Sequence, residues 1–392
     1  MNDVAQSLRP FELTAPGRIV FGSGTAKSLG AEARKLGRRA LFVTGKDRAR
    51  VAKLEQDLLG AGLELSWLGV ASEPTVDDAL RGVELGRTRS VELVVACGGG
   101  SAIDLGKAVA ALLANAEDPF EFLEVVGRAR PLLQPALPLI AVPTTAGTGA
   151  EATKNAVLAS PAHRVKASLR HPSMLPRIAL VDPELTLTVP PAVTAATGLD
   201  ALTQCLEPYV SCQSNPLTDS LALEGLKLGA RSLRRAFHEG SDLAAREDMA
   251  LCSLFGGLSL ANAKLGAVHG FAAPIGGEHE APHGAVCARL LPLVIEANVK
   301  ALRERQPHSP ILPRFDTIAQ LLTGSRRATS TDATAFVLEL TTELKIPGLA
   351  SYGLTPSAIP ALVTKAAAAS SMKGNPIPLT PAELTQILER AL

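Results

Sequence analysis

The alternation of short apolar segments with helical segments in the first half of the chain is the strongest constraint on its fold. The segments 39–45, 63–69 and 93–97 are rich in β-branched and other apolar residues, which predicts strands. A segment of helical character follows each of them. The third segment, LVVAC, is apolar on both faces, as is typical of a strand in a parallel sheet covered by helices. An α/β fold with right-handed crossovers is therefore predicted.

The second half of the chain has a different pattern. From about residue 190 the strand signals stop, and long segments rich in Ala and Leu have helical propensity and helical period. The proline-containing segment 182–192 lies between the two patterns. We therefore predict two domains, an α/β domain over residues 1–187 and an all-α domain over residues 188–392.

Charge and composition exclude several classes of protein. The 392 residues include 39 Lys and Arg against 38 Asp and Glu, a net charge of +1, whereas nucleic-acid-binding proteins and polybasic membrane binders carry excess positive charge. No apolar stretch of about 18 residues occurs, so no transmembrane helix is predicted. Five cysteines without a CxxC motif favour a reducing compartment over a disulfide framework. We expect a cytoplasmic protein whose partners include neither nucleic acid nor a membrane.

Two loops that follow predicted strands contain candidate nucleotide-binding residues. Gly99, Gly100 and Ser101 follow the strand at 93–97 and precede a helix, whose N-terminal amides favour a phosphate. The second loop lies within 137–153 and offers hydroxyl groups from Thr144, Thr145 and Thr148. Ligands of open α/β sheets bind at the carboxyl ends of strands, where both loops lie. The alternatives are an ordinary turn between strand and helix and a threonine-rich cap of the next helix.

The end of the first predicted strand bears on the choice of nucleotide. Gly45 stands where a dinucleotide-binding protein often has an acidic residue that accepts a hydrogen bond from the adenosine ribose. Lys46, Arg48 and Arg50 are close to it in sequence, so the position permits a 2′-phosphate. Both NAD and NADP are therefore candidates, and the alternative is that these cations are solvated surface charges.

Polar side chains on the predicted apolar helices are candidate metal ligands. Asp200 and Gln204 are four residues apart and share one helix face among apolar neighbours, where a carboxylate is costly to bury unless it is paired or metal-bound. His269 and His283 flank a glycine-rich turn. Imidazole together with carboxylate is a ligand set that suits zinc or iron. The alternatives are an exposed polar stripe on the helix and histidines with a purely structural role.

Five motifs together resemble the iron-containing (group III) alcohol dehydrogenases. They occur in the family's order, cover nearly the whole chain, and read GGGSAIDLGKA (98–108), PTTAGTGAEATKNAV (143–157), ALVDPELTLTVPP (179–191), TGLDALTQCLEPYVS (197–211) and VHGFAAPIGGEHEAPHGAVCA (268–288). The resemblance implies an N-terminal Rossmann-like dinucleotide-binding domain and an all-α C-terminal domain, the dehydroquinate synthase-like fold of this family. The active site is then expected in the cleft between the domains.

The resemblance also implies roles for individual residues by their motif positions. The pyrophosphate would be held by Gly99, Gly100 and Ser101. The ribose and nicotinamide side would be lined by Thr144, Thr145, Thr148, Asn155 and Lys166. The family's metal is bound by the Asp and His of a D-x3-H motif and by two later His, and the corresponding positions here are Asp200, Gln204, His269 and His283. Of these, Asp200, His269 and His283 are the expected catalytic residues.

Two positions depart from the family pattern. Gln204 stands where the D-x3-H motif has its His, and an amide oxygen is a poorer ligand for zinc or iron than imidazole. Three strong ligands and a water still make a catalytic site. Ala273 ends the pattern VHGxAH in place of His, so proton delivery would fall to water or the cofactor ribose. Cys97, Cys205 and Cys287 lie in or beside the motifs and are interpreted as small packing residues.

The expected activity is hydride transfer between NAD(P)H and a small aldehyde or ketone, by an alcohol dehydrogenase or aldehyde reductase. A divalent metal, Fe²⁺ or Zn²⁺, would polarise the carbonyl group. A homodimer is expected, with an aldehyde, alcohol or oxo-acid as substrate. One alternative is a metal-independent enzyme like maleylacetate reductase, with Arg164, Lys166 and Arg170 as partners of the substrate carboxylates. The others are a lyase of the dehydroquinate synthase type and a nucleotide-binding protein without catalysis.

Overall fold

The first half of the chain folds around one parallel sheet. The computed structural model describes residues 10–392. Its strands are β1 (Ile19–Phe21), β2 (Arg39–Gly45), β3 (Glu64–Val70), β4 (Leu93–Gly98), β5 (Leu139–Pro143), β6 (Asn155–Ser160), β7 (Val165–Arg170) and β8 (Ile178–Val181). Six of them form the sheet in the order β1-β8-β5-β4-β2-β3, and every neighbouring pair is parallel. The predicted α/β architecture is confirmed.

Helices cover both faces of this sheet. They are α1 (Leu29–Arg34), α2 (Ala52–Gly60), α3 (Val76–Thr88) and α4 (Gly100–Ala114). Apolar side chains of α1 and α2 cluster with Phe42 and Val95, whereas those of α3 and α4 cluster with Leu41 and Val94. Successive residues of one strand face opposite layers, which explains why β4 is apolar on both faces.

The direction of the strand order changes between β2 and β4. From β2 the chain crosses to β3 on one side, and from β4 it crosses to β5 on the other. The carboxyl ends of the two strands are in contact, since a Cβ placed at Gly98 would lie 3.5 Å from the Gly45 nitrogen. A switch point of this kind is where open α/β sheets bind their ligands.

A small antiparallel sheet of β6 and β7 is a feature that the sequence patterns did not predict. Its register places Asn155 opposite Arg170. The side chains of its buried face join the apolar cluster of α3 and α4, and they are Ala156, Leu158, Ala167 and Leu169. The hairpin therefore brings two expected cofactor residues to different helices: Asn155 of β6 lies next to α4, and Lys166 of β7 lies next to α8.

All regular structure after residue 190 is helical. Residues 191–392, which are all described, contain no strand. The helices are α5 (Pro191–Val210), α6 (Pro216–His238), α7 (Leu243–Ala263), α8 (Ala267–Glu278), α9 (His283–Arg305), α10 (Leu312–Thr323), α11 (Ser330–Glu343), α12 (Ile359–Ala368) and α13 (Pro381–Ala391). The change from strands to helices falls at Pro191, while the domain boundary at 187/188 stays a prediction.

Helix α5 runs through the interior of the helical half and packs against α6, α7 and α9. Fifteen of its 20 residues are buried, so its polar side chains lie inside the protein and do not form an exposed stripe. Helices α8 and α9 are separate, with Pro282 immediately before α9, so residues 279–283 are not part of one helix. Among the described helices none alone has the length and apolar composition to span a membrane. Within residues 10–392, one pair of helices, α7 and α8, meets that test together, and the pair is bent by 98°.

Candidate functional site

Four side chains from three helices point their ligating atoms at one another in the helical half. Helix α5 supplies Asp200, α8 supplies His269, and α9 supplies His283 and Cys287. One ligand atom from each of the four lies within 4.8 Å of the others, and we call this group the ligand cluster. The structure thus brings together the three expected catalytic residues and adds a cysteine to them.

Asp200 lies at the centre of the contacts in the ligand cluster. Its Oδ1 is 3.4 Å from Nε2 of His269 and 3.8 Å from Nε2 of His283. Both carboxylate oxygens are buried and accept no hydrogen bond. A buried carboxylate without hydrogen bonds is costly unless a charge compensates it. Two imidazole nitrogens and a free carboxylate therefore form a pocket of ligands that suits a divalent cation.

A close helix contact holds the imidazole of His283 opposite Asp200. Gly284 follows His283 at the start of α9, and a Cβ at this position would lie 2.6 Å from the carbonyl oxygen of Ala196 in α5. Any larger residue would push the two helices apart. The His-Gly pair therefore fixes the distance across the cluster.

Protons and charges in the cluster influence one another strongly. Burial by itself raises the pKa of Asp200, but the nearby His283 and His269 outweigh burial and lower this pKa. Burial by itself lowers the pKa of His283, but Cys287 and Asp200 outweigh it and raise the pKa to about 9. The pKa of His269 is likewise raised well above its usual value against the effect of burial, by Cys287 and Asp200. Positive charge is thus strongly favoured in the cluster, and a bound cation would supply it.

Glu207 orients the imidazole of His269 from outside the cluster. Its Oε2 lies 2.7 Å from Nδ1 of His269, and its Oε1 accepts a hydrogen bond of 2.7 Å from the backbone nitrogen of Val268. With the Nδ1 proton donated to Glu207, Nε2 is the ring nitrogen that faces Asp200 and would bind a metal. Glu207 lies one turn beyond Gln204 on α5 and is a residue that sequence reasoning missed.

Gln204 connects the helical half to the loop after β5. Its Nε2 donates a hydrogen bond of 3.1 Å to the carbonyl oxygen of Gly147, while its Oε1 is buried without a partner. The nitrogen of Gly147 in turn donates to Oγ of Ser253, at 2.8 Å. Gln204 therefore holds this loop against α5 and α7, and its expected role as a weak metal ligand stays a prediction.

Cys287 is the functional candidate that sequence reasoning missed. Its Sγ lies 3.8 Å from Nε2 of His269 and 3.7 Å from Nε2 of His283. Cys287 is packed in the apolar core, as expected, and its thiol also belongs to the ligand cluster. The available signal was its spacing of four residues from His283, which places both side chains on one face of α9. His279, a third histidine of the segment, follows the end of α8 and is not part of the cluster.

The two predicted nucleotide loops lie against each other at the carboxyl end of the sheet. We call residues 98–101 the glycine loop and residues 144–149 the threonine loop. A Cβ at Gly99 would lie 3.3 Å from Oγ1 of Thr145, and a Cβ at Gly100 would lie 2.8 Å from Oγ1 of Thr148. No side chain caps the N-terminus of α4, which starts at Gly100, so its first amides stay free for an anion.

Three other expected cofactor residues have different surroundings. Gly45 has open space beside it, since a Cβ there would meet nothing within 4 Å. Arg48, near it in sequence, forms an ion pair with Glu55. The ammonium group of Lys166 is paired with Glu73. Asn155 contributes its carbonyl oxygen to Nζ of Lys107, at 3.0 Å. These contacts leave the expected roles of Gly45, Asn155 and Lys166 as predictions.

A second group of buried charges lies between α4 and the hairpin. The Nζ of Lys107 donates to Oγ1 of Thr153 at 2.7 Å. Burial lowers the pKa of Lys107 to about 8 and raises the pKa values of Glu151 and Asp104 to about 7 and about 6. Lys107 thus anchors the segment after the threonine loop to α4, a role distinct from that of a phosphate-binding lysine.

Family models match both halves of the chain. The model described as "Iron-containing alcohol dehydrogenase" matches residues 16–183. The model described as "Fe-containing alcohol dehydrogenase family, C-terminal" matches residues 194–392.

Similar proteins cover almost the whole chain. The probable alcohol dehydrogenase EutG of Salmonella typhimurium is 35% identical over 96% of this chain and 94% of its own length. The 1,3-propanediol dehydrogenase of Klebsiella pneumoniae is 35% identical over 87% of this chain and 88% of its own. A crystal structure of 1,3-propanediol oxidoreductase superimposes with a TM-score of 0.90 at 32% identity, covering 98% of this chain and 100% of the other. The sulfoacetaldehyde reductase of Bifidobacterium kashiwanohense in complex with NAD⁺ gives a TM-score of 0.86 at 28% identity, over 98% and 99%.

Proposed function

Because this chain belongs to the iron-containing alcohol dehydrogenase family, it is an oxidoreductase that interconverts alcohols and carbonyl compounds, and we propose that the reaction takes place at the ligand cluster. The observation that carries this proposal is the buried carboxylate of Asp200, which accepts no hydrogen bond and faces two imidazoles. The cluster lies next to the threonine loop, which Gln204 holds by its hydrogen bond to Gly147. Substrate at the cluster and a nucleotide on the loops would therefore be neighbours.

The family implies a nicotinamide cofactor, and we propose that the glycine and threonine loops bind NAD or NADP. The free amides at the start of α4 would hold the pyrophosphate, with Gly99, Gly100 and Ser101 closest to it. Thr144, Thr145 and Thr148 would bind the ribose and nicotinamide portions, together with Asn155 and Lys166. The NAD⁺ complex of the similar sulfoacetaldehyde reductase supports this assignment. The open space at Gly45 would accommodate either nucleotide.

The family also implies a metal, and the residues present fit one. Asp200, His269 and His283 would hold Fe²⁺ or Zn²⁺, because their free oxygens and nitrogens face one another in a buried pocket. When bound, a divalent metal supplies Lewis acidity toward the carbonyl oxygen of the substrate. Glu207 would keep His269 in the tautomer whose Nε2 faces the cluster. Gln204 would hold the threonine loop, and with it the nicotinamide, at a fixed distance from Asp200.

Position 273 of this chain has no side chain that can transfer a proton. Ala273 lies on α8, one turn after His269, and its methyl group carries no proton to transfer. We therefore propose that water or a ribose hydroxyl of the cofactor delivers the proton to the product alkoxide.

The alternative of a maleylacetate reductase-like enzyme is not favoured. Its substrate is a dicarboxylate, which needs free cations in the cleft. The ammonium group of Lys166 is paired with Glu73, and Nε of Arg170 lies 3.5 Å from Glu124. Two of the three candidate cations therefore already have carboxylate partners, and the similar proteins named above act, by their names, on alcohols or an aldehyde.

A substrate panel tests the activity. Purified protein is assayed with NADH and with NADPH against short aldehydes, oxo-acids and maleylacetate, after loading with Fe²⁺ or Zn²⁺. We expect oxidation of the cofactor with aldehydes that depends on the added metal. Turnover of maleylacetate alone would favour the alternative, and no turnover with any substrate under either metal would refute the proposal.

A single substitution tests the ligand cluster. His269→Ala removes one imidazole and leaves Glu207 without its partner, so we expect loss of both bound metal and activity. Metal content is measured by elemental analysis of the purified protein. Loss of activity with full metal content would remove His269 from the proposed ligands.

We also propose that the chain works as a cytoplasmic homodimer with domains 1–187 and 188–392. The dimer rests on the family resemblance, and light scattering of the full chain tests it. All five cysteines are free, which is typical of a reducing compartment. Limited proteolysis tests the domain boundary, with cleavage expected near residue 187.

A further inference from the structure

We propose that the thiolate of Cys287 is a direct metal ligand, so that this chain holds its metal with Asp200, His269, His283 and Cys287. The inference rests on the proposed function, because it concerns the same metal. It assigns to sulfur the coordination position that an imidazole at residue 204 would otherwise fill. Two independent observations carry it, the distances around Sγ and the buried carboxylate of Asp200, which accepts no hydrogen bond.

Four of the six distances between ligand atoms are close to the edges of a four-ligand site, and the other two are within 4.8 Å. With bonds of about 2.0 Å to N or O and about 2.3 Å to S, tetrahedral ligands are separated by about 3.3 Å for N and O and about 3.6 Å for S and N. The corresponding N–O distances here are 3.4 and 3.8 Å, to His269 and His283. The two S–N distances are 3.8 and 3.7 Å. Small movements of side chains would therefore bring all four atoms to bonding distance of one ion.

The position of the cysteine in α9 makes this geometry possible. His283 and Cys287 are one helical turn apart and face the same side of α9. Sγ is fully buried and lies close to both imidazoles. Cys97, Cys205 and Cys252, the other buried thiols, have no such neighbours and are not part of the ligand cluster.

Gln204 is the weaker candidate for the same position. Its amide nitrogen already donates to Gly147, and only its neutral oxygen is left for an ion. A thiolate binds Zn²⁺ more strongly than an amide oxygen does. Coordination forms a sulfur–metal bond and releases the thiol proton to solvent, after which two anionic ligands balance a divalent ion. Sulfur in the ligand set favours Zn²⁺, which also expands to five ligands and so leaves room for a substrate oxygen.

Cobalt spectroscopy tests the bond in the unaltered protein. The metal-free full chain is loaded with Co²⁺, and the near-ultraviolet absorption of sulfur-to-cobalt charge transfer is recorded together with the amount of cobalt bound. We expect one Co²⁺ per chain and a charge-transfer band. The same band is expected in Cys252→Ala, a matched control that removes a buried thiol of α7 outside the cluster.

Substitution of the cysteine gives a second measurement. Cys287→Ala is expected to lose the band and to bind Zn²⁺ at least about 10-fold more weakly in competition with a chelator, since loss of a residue that only orients a ligand already costs about 10–100-fold. Adding Gln204→His to Cys287→Ala restores the D-x3-H pattern. We expect this double variant to regain most of the Zn²⁺ affinity but not the sulfur band.

The outcomes separate the inference from the proposed function. One bound Co²⁺ per chain without a sulfur band, or unchanged Zn²⁺ affinity in Cys287→Ala, would overturn the role of Cys287 and leave the three-ligand site intact. No metal bound by the unaltered chain would instead overturn the metal site of the proposed function, and this inference with it. Because the cobalt spectrum uses the unaltered chain, failure of a variant to fold does not affect the test.

Discussion

Replacing Glu207 by Gln tests how this chain sets up His269 without touching the ligand cluster itself. The carboxylate accepts two hydrogen bonds of 2.7 Å, from Nδ1 of His269 and from the nitrogen of Val268. A glutamine has one carbonyl oxygen and one NH₂ group in the same place. It can therefore accept from only one of the two donors, while its NH₂ group faces the other.

The cost of this change falls mainly on the metal-bound state. In the metal-free protein the imidazole of His269 can move its proton to Nε2, and its Nδ1 then accepts from the glutamine NH₂ group. A metal on Nε2 forces the proton back to Nδ1. The Nδ1–H group of His269 and the NH₂ group of the glutamine are then two donors that face each other without an acceptor. A hydrogen bond to a charged group contributes about 1.5–3 kcal/mol, which corresponds to about 10- to 150-fold in the dissociation constant of the metal.

Chelator competition with Zn²⁺ measures this affinity, and thermal melting of the metal-free protein serves as a control for folding. We expect Glu207→Gln to bind Zn²⁺ about 10- to 100-fold more weakly while the metal-free protein still melts cooperatively. Glu296→Gln, which removes a carboxylate paired with Arg390 on the surface of α9, is expected to bind Zn²⁺ like the unaltered protein. Unchanged affinity in Glu207→Gln would refute the argument that Glu207 fixes the tautomer of His269.

Three further substitutions test the surroundings of the site. Gly100→Ala brings a Cβ to 2.8 Å from the side chain of Thr148, so we expect the KM for the nucleotide to rise about 10-fold in steady-state kinetics, and an unchanged KM would refute close approach of the nucleotide to Gly100. Gly45→Asp places a carboxylate in open space at the switch point. Because this carboxylate would repel a 2′-phosphate, we expect kcat/KM for NADPH to fall about 10-fold or more and kcat/KM for NADH to fall less. Burial raises the pKa of Glu151 from 4.5 to about 7, so its ionisation destabilises the fold as pH rises through this interval. Glu151→Gln should therefore gain up to about 3 kcal/mol in unfolding free energy at pH 8 relative to the unaltered protein and much less at pH 5, as urea titration would show.

The sheet was predictable because its strands are strongly apolar, whereas details of the helix packing were not. On α3, the apolar residue Leu80 is 44% exposed. The buried face instead runs through Gly82 and Gly86, where added Cβ atoms would lie 2.6 Å from Val109 and 2.8 Å from Leu113 of α4. Close packing of two helices favours small residues. Because glycine is not strongly apolar, a search for apolar residues at helical spacing does not detect this buried face.

The hairpin of β6 and β7 was missed for a related reason. Its buried positions alternate, as a half-exposed strand requires, but two of the four are alanines. Alternation of small residues is a weak signal beside the strong apolar runs of the parallel strands. The hairpin matters because it carries Lys166 to Glu73, a pairing that no spacing in the sequence indicates.

In the ligand cluster, the predictable residues were those whose chemistry is conspicuous in an apolar helix. Asp200, His269 and His283 stand out because a charged or polar group in an apolar helix is costly to bury without a partner. Cys287 does not stand out, since a buried cysteine is usually a small apolar residue. Its role emerges only when α8 and α9 place two imidazole nitrogens beside its sulfur.

The departure from the family pattern at Gln204 then has a physical explanation. A His at 204 would place two ligands on α5, whereas here α9 offers two, His283 and Cys287, one turn apart. The side chain at 204 is thereby free to hold the threonine loop through Gly147, a task that an imidazole bound to metal could not share. On this argument Gln204 is not a damaged ligand but a contact between the cofactor loop and the helix that carries Asp200. Coordination then falls to Cys287, and placement of the loop falls to Gln204.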